Sequence, residues 1–347
     1  MEKKELFGKT LAEIQEIVLS AGLQKYVAKQ LTDWMYKKRV FSLAEMHNIS
    51  NASKKILNDN CQISLSSPSK VQESTDGTKK YLFPVNEKSF IEAAYIPDNE
   101  RATLCVSSQV GCKMGCLFCM TGKQGFQENL SSGQILNQIY RLPEFDKLTN
   151  VVYMGMGEPL DNLDEVLKSI EILTADYGLA WSPRRITVST IGIIPAMKQF
   201  LEKSNAHLAV SLHNPFEEER KELMPIENVY RVSKLIESIR SFEFGGQRRV
   251  SFEYIMFKRE NDQPRHINEL ARILNGIKCR INLIRFHPIP GTPLESSSDA
   301  AILEFQAGLK RKGILTTIRA SRGQDIFAAC GLLSTKELIK QKRNEDF

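Results

Sequence analysis

The chain lacks any apolar run near the ~18 residues that a membrane-spanning helix needs, and its first residues, MEKKELFGKT, lack the apolar stretch of a signal peptide. Both absences point to a cytoplasmic protein with no membrane partner. In that reducing compartment the seven cysteines are expected as ligands or catalysts rather than structural disulfides. Internal repeats and low-complexity tracts are missing as well. Charge is mildly skewed, with a net of +6 and a pI near 8.8, which suits a polyanionic partner without identifying one. Hydrophobic content of 42% and charged content of 25% are those of an ordinary globular protein. A chain of 347 residues implies one large domain with an appendage, or two domains.

One further absence is local. QVGCKMGCLFCMTG (109–122) spaces Cys112, Cys116 and Cys119 as Cys-x3-Cys-x2-Cys, and no fourth Cys or His lies nearby. Structural zinc takes four ligands, and a 4Fe–4S cluster normally takes four thiolates. Three thiols leave one metal position open to an exchangeable ligand, which marks a site that works on a substrate. Zinc and coincidental core cysteines are the alternatives.

What is present is a strand–helix alternation. Apolar β-rich runs lie at 102–108, 150–157, 185–192, 207–213, 250–257 and 281–290, with TTIRAS (316–321) as a further strand. Between them, 132–142, 163–177, 229–242 and 267–277 repeat apolar residues at i, i+3 and i+4. This spacing indicates parallel βα units and hence an α/β fold, an incomplete or full (β/α) barrel over about residues 98–335. Active sites of such barrels sit at the C-terminal strand ends, and the cysteine cluster directly follows the first strand. Residues 1–70 read as a compact helical accessory domain with helical patterns at 10–22, 25–39 and 42–58. Residues 71–97 hold an Asp76-Gly77 turn between alternating segments and read as a small β linker element, while 336–347 read as a solvated tail.

Other strand ends carry polar groups. MGMGEP (154–159) offers Glu158, flanked by Gly157, to an ammonium group, or forms only a tight turn. VSTIG and VSLH end two further strands and bring Ser189, Ser211 and His213 toward the same mouth. TDWMYKKRVF (32–41) interleaves Trp34 and Tyr36 with Lys37, Lys38 and Arg39, a combination suited to stacking on bases and pairing with phosphates. An amphipathic helix with a basic end is its plain alternative. Basic loops at 244–252 and 257–261 add to that surface, and Cys61 and Cys279 match no motif.

The Cys-x3-Cys-x2-Cys spacing, with Phe118 before the third cysteine, resembles the signature of radical S-adenosylmethionine (SAM) enzymes. RATLCVSSQVGCKMGCLFCMTG, NVVYMGMGEPLDN, ITVSTIG, AVSLHNP and RGQDIFAACG together resemble, in order, the RlmN-type adenine methyltransferases over roughly residues 75–335. The helical appendage is similar to that family's N-terminal accessory domain. The resemblance implies a radical SAM barrel with one 4Fe–4S cluster on Cys112, Cys116 and Cys119, and two SAM molecules per turnover. It implies SAM contacts from Gly157, Glu158, Ser189, Ser211, Leu212, His213 and His287, the last standing where the family commonly has Asn. It further implies that Cys330 carries the methyl group, that Cys105 resolves the adduct by forming a disulfide, and that Glu92 accepts a proton.

The implied reaction methylates carbon 2 of an adenine in 23S rRNA, at the peptidyl transferase centre, and of the adenine next to the anticodon in certain tRNAs. An electron donor such as flavodoxin or ferredoxin is implied too. The 8-methylating Cfr-type relative is the first alternative, and a non-catalytic RNA-binding metalloprotein is a rival from another class. The purified protein is expected to be brown and to bind about four irons. Cys116→Ala should lose both the colour and SAM cleavage; a wild type that bound zinc alone would overturn the cluster assignment.

Overall fold

The computed structural model describes residues 3–245, 250–329 and 331–333. Its centre is a ten-stranded sheet in which the strands lie in the order they have along the chain. We number them β1 (Lys70–Glu73), β2 (Lys79–Pro84), β3 (Phe90–Asp98), β4 (Arg101–Cys105), β5 (Asn150–Tyr153), β6 (Ile186–Thr190), β7 (His207–Ser211), β8 (Val250–Met256), β9 (Cys279–Arg285) and β10 (Thr316–Ile318). From β4 to β10 every pairing is parallel, whereas β1 to β4 pair antiparallel. β1 and β10 are its edges, so the sheet stays open and forms an incomplete (β/α) barrel. The stretch 71–97 is thus continuous with the barrel wall: the Asp76-Gly77 turn joins β1 to β2, and β3 pairs with β4.

Alternation decides which face does what. Val151, Tyr153, Ile186, Val188, Leu208 and Val210 are buried in the core that the helices cover. The intervening residues of these strands face away from the helices, and those are the positions that carry polar groups. The helices between strands are α5 (Ser132–Tyr140), α6 (Leu163–Thr174), α7 (Ile194–Lys203), α8 (Glu217–Leu223), α9 (Val232–Arg240), α10 (Pro264–Ile273) and α11 (Asp299–Arg311), following α4 (Met120–Gln124) in the cysteine loop. α7 and α11 were not anticipated, although each has a legible stripe: Met197, Phe200 and Leu201 in the first, Ile302, Phe305 and Leu309 in the second. Among the described residues no helix is long and apolar enough to cross a membrane.

The N-terminal unit holds α1 (Leu11–Ser20), α2 (Tyr26–Thr32) running into a π-turn at Asp33–Lys37, and α3 (Asn51–Asn60). The expected third helix over 42–58 divides, because the Ser50 side chain accepts from the Ser53 amide (3.1 Å) and starts a new helix there. This unit is packed on the barrel. Gly8, at φ +88°, lies so close to Gly133 that a Cβ would collide with its backbone. The Ser132 hydroxyl donates to the Gly8 carbonyl at 2.8 Å, and the Tyr140 ring meets Phe7 edge-on at 5.3 Å and Phe41 at 6.3 Å. Tyr140→Ala is expected to destabilise the protein by about 3 kcal/mol or more, measured by urea unfolding, because it empties the junction between unit and barrel. An unchanged midpoint would show that the junction contributes no stability.

Candidate active site

The cysteine loop leaves the end of β4 and is pinched at its base by a two-residue ladder, Gln109–Val110 against Glu128–Asn129. Inside it, the Cys119 amide donates to the Cys116 carbonyl at 3.2 Å, and the Leu117 amide donates to the Leu223 carbonyl of α8 at 3.0 Å. Cys116 is buried, while Cys112 and Cys119 are half-exposed. Burial, then the neighbouring Cys119 thiol and Glu158, pushes the Cys112 thiol up to about 12. Burial followed by the other two thiols pushes Cys116 well above its ordinary value. Three thiols that repel one another as anions need metal counter-charge to become ligands. Among the described residues no three His, Cys, Asp or Glu side chains are set to hold a single metal ion. Three thiols on one loop, Cys112, Cys116 and Cys119, are the donor type that a 4Fe–4S cluster takes. The donor set therefore fits the 4Fe–4S assignment.

Glu158 stands beside this loop and is 3% exposed. Its carboxylate accepts from the Leu160 amide at 3.1 Å and the Ile191 amide at 3.0 Å. Burial outweighs those bonds and raises its pKa from 4.5 to about 7. The space a side chain would need at Gly157, φ +98°, is taken by Gln109 Cβ at 2.5 Å, so the glycine there lets two strand-end loops touch. The Glu158 amide donates to Gln109 Oε1 at 2.8 Å, which ties the same loops together.

Ser189 and Ser211 share the helix-free face, since Ser189 pairs with Ala209 and Ser211 follows two residues later. The row continues across the sheet from Ser211 to Glu253, Asn282 and Thr317. Glu253 is buried and accepts from Ser251 (3.0 Å) and Asn282 (2.7 Å), with Arg319 at 3.3 Å. Leu212 and His213 lie just beyond the strand. His213 is buried at φ +56°, and its Nδ1 accepts from the Ile255 amide at 3.0 Å. Burial, aided by Arg220, pushes it down to about 3, so it is a neutral ring, 4.8 Å from Phe118 edge-on. His287 is half-exposed and its Nε2 meets Ser321 Oγ at 3.0 Å.

Arg220, on α8, went unnoticed in the sequence because it sits in an ordinary-looking charged helix. It is fully buried, donates to the carbonyls of Leu212 (3.0 Å), Ile191 (2.9 Å) and Ser211 (3.1 Å), and pairs with Glu227. It thereby clamps two strand ends to the helix that holds the cysteine loop.

A second group lies on β2 to β4. Glu92 is 1% exposed, which overturns the plain alternative of an exposed strand residue, and its Oε1 is 3.1 Å from Lys80 Nζ. Cys105 is buried against Ala94 and Ala328. Cys330 lies outside the described residues, as do 246–249 of the expected basic loop and the 336–347 tail. The residues flanking Cys330 are described: Ala329 packs in the cluster that includes Cys116 and Phe118, and the Gly331 carbonyl accepts from Met120 at 2.8 Å. The proposed base-stacking role of Tyr36 is corrected. That ring is wholly buried, and its hydroxyl donates to the Lys9 carbonyl at 2.7 Å. Lys38 lies over Trp34 at 3.9 Å, whereas Arg39 lies over Phe145 at 3.8 Å, turned to the barrel. Of the second basic loop, Asn261 is buried and bonded to the carbonyls of His213 and Ile255.

An open parallel barrel with three cysteines on its first βα loop defines a radical SAM enzyme. Residues 106–271 match the Radical SAM superfamily profile, and residues 4–63 match the ribosomal RNA large subunit methyltransferase N-terminal domain. A probable dual-specificity RNA methyltransferase RlmN of Parabacteroides distasonis is 56% identical over 98% of this chain and 99% of that one. The dual-specificity RNA methyltransferase RlmN of Syntrophus aciditrophicus is 42% identical over 97% and 98%. A radical SAM methyltransferase structure from Sphaerobacter thermophilus superposes with a TM-score of 0.88 at 36% identity, covering 95% of this chain and 99% of that one. The chain belongs to the RlmN family of radical SAM methyltransferases.

In the SAM-free protein, the raised Glu158 pKa makes stability fall as pH rises. Between 4.5 and about 7 the unfolded carboxylate has lost a proton that the folded one keeps, for a total of roughly 3 kcal/mol. Glu158→Gln is therefore expected to be more stable than the parent at pH 8, by thermal or urea unfolding. On the expectation that Glu158 takes the SAM ammonium, the variant should also bind SAM roughly ten- to a hundredfold more weakly, for want of a charge-assisted bond. Unchanged SAM affinity would return Glu158 to a purely structural turn.

Proposed function

We propose that this protein methylates carbon 2 of adenine in 23S rRNA and in tRNA, in the cytoplasm, by way of a methyl group carried on Cys330 and released with the help of Cys105. One observation supports this above the rest. Cys105 and the segment around Cys330 meet beside the cysteine loop, with Ala328 against Cys105 and Ala329 in the cluster of Cys116 and Phe118. A metalloprotein that merely bound RNA needs no second thiol pair at its metal loop.

Carbon 2 of adenine is an amidine carbon, neither nucleophilic nor readily deprotonated, so direct displacement at a SAM methyl is closed to it. The cluster and SAM, when bound, supply radical chemistry that activates the methyl group. The chain's own residues do the rest. Cys112, Cys116 and Cys119 hold the cluster and leave one iron for SAM. Glu158 takes the SAM ammonium, and Gly157, Ser189, Ser211, Leu212, His213 and His287 shape the remaining contacts. Cys330 receives the methyl and forms the carbon bond to the base. Glu92 accepts the carbon 2 proton from the adduct, and the Cys105 thiolate attacks the Cys330 sulfur, so that a disulfide forms as the carbon–sulfur bond breaks, the released carbon takes up a proton to become the methyl group, and the one electron left over would return to the bound cluster. The target adenine must leave its stack to reach this depth. The helical unit, 1–70, contacts the RNA, with Trp34 and Lys38 on its surface, and a flavodoxin or ferredoxin supplies electrons.

The two cysteines give opposite signatures. Cys330→Ala should eliminate RNA methylation with the cluster intact. Cys105→Ala should still attack the adenine and then stall with protein and RNA joined, seen as a shifted band on a denaturing gel with labelled RNA. Normal methyl transfer without that band would refute the scheme, and mass spectrometry of the digested product separates carbon 2 from carbon 8.

A further inference from the structure

Lys80 is a buried cation to which no role has been given. Its side chain is 9% exposed, and its Nζ lies 3.1 Å from Oε1 of Glu92, itself 1% exposed. The strand register shows where this pair faces. Lys80 pairs with Ala94, and Ala94 pairs with Cys105, so Lys80 and Cys105 belong to one row on one face. Glu92 precedes Ala94 by two residues and shares that face. Neighbours there are small or apolar: Ala94, Ile96, Val152 and Met154 form the patch on which Ile326 and Ala328 sit.

An ion pair in such a place adds little stability over two apolar residues, because desolvation of both charges offsets their attraction. Its presence calls for another reason. The other titratable or charged groups that the register and packing bring to this face are the Cys105 thiol, Lys70 in the row of Glu92, Asp98 with its partner Arg101, Arg322, which pairs with Asp98 at 3.2 Å, and the carboxylates of Asp76 and Asp325. The last two carboxylates are engaged locally, Asp76 with the Gly323 amide (3.0 Å) and Asp325 with the Ser74 hydroxyl (2.6 Å). Glu92's own backbone is fixed, its carbonyl accepting from Ser107 Oγ at 2.6 Å and its amide pointing to Met156 Sδ at 3.4 Å.

We propose that Lys80 is a positioning residue for Glu92, whose ammonium keeps the buried carboxylate charged and aimed so that it can take a proton at neutral pH. Burial alone would leave that carboxyl protonated and unable to accept; a cation at hydrogen-bond distance reverses the preference. When Glu92 is protonated during turnover, the ammonium holds its place and the pair reforms once the proton leaves. This inference rests on the reading of Glu92 as proton acceptor.

The test is single-turnover RNA methylation by reconstituted holoenzyme, already methylated on Cys330, followed from pH 5.5 to 9. In Lys80→Met the acid limb of the profile should move up by about one to three pH units. Lys80→Arg, which keeps the charge, should bring it back. Iron content, SAM cleavage and methylation of Cys330 should match wild type in both variants. A Lys80→Met profile that superimposes on wild type overturns the proposal. Should Lys80→Met fold poorly, it is combined with Glu92→Gln, which leaves no buried charge. Lys80→Met should then add no loss beyond that of Glu92→Gln alone, and a further multiplicative loss would show that Lys80 acts elsewhere. Full methylation by Glu92→Gln would instead remove the proton-acceptor reading itself, an outcome distinct from failure of Lys80.

Discussion

The constraint on which the site depends is burial of ionisable groups at the mouth of the parallel strands. Cys112, Cys116 and Glu158 meet at the C-terminal ends of the parallel strands, and burial opposes ionisation of each. The protein answers with dipoles and one cation. Leu160 and Ile191 turn their amides to Glu158, and Arg220 sits fully buried between the strand ends and α8. The guanidinium bonds go to backbone carbonyls and Glu227, so Arg220 holds the frame together, and its charge offsets only part of the burial that opposes ionisation of Cys116. The loops around the site are heavily pinned. Glycines 155 and 157 press the Glu158 turn against Ser107 and Gln109, and Leu223 anchors the cysteine loop.

The antiparallel end of the sheet is part of the same construction. β2 and β3 prolong the barrel wall and deliver Lys80 and Glu92 to the face that carries Cys105. The turn before β2 holds the segment leading to Cys330: the Gly323 amide donates to Asp76, and Asp325 accepts from Ser74 and Thr75. Those contacts span about 250 residues of chain. A hairpin that looks like a connector in the sequence is therefore tied to the segment that leads to Cys330.

How much of this was legible depends on whether the signal was local. The strand–helix alternation and the cysteine spacing repeat at short range, and all the strands expected from residue 100 onward form, with ends shifted by a few residues. The placement of Glu158, Ser189 and Ser211 at or beyond strand ends was legible because each lies at the end of an apolar run. Lys80, Arg220 and Glu253 were not, since each looks like a solvated charge until the sheet register or helix packing buries it. Tyr36 failed in the opposite sense. Its basic neighbours suggested a surface, yet the π-turn at Asp33–Lys37 rotates the ring into the core beside Phe7 and Tyr140.

That rotation links the two ends of the molecule. Tyr36 packs against Tyr140 of α5, and α5 begins three residues after the ladder that closes the cysteine loop. Gly8 meets Gly133 in the first turn of the same helix, and Glu13 pairs with Lys168 of α6 at 2.9 Å. The helical unit is therefore braced on the elements that directly follow the cysteine loop and the Glu158 turn, with aromatic packing and a partly buried ion pair at the contact. Both contacts would have to break for the unit to swing freely. The position of the helical unit is thus set relative to the loop that carries Cys112, Cys116 and Cys119.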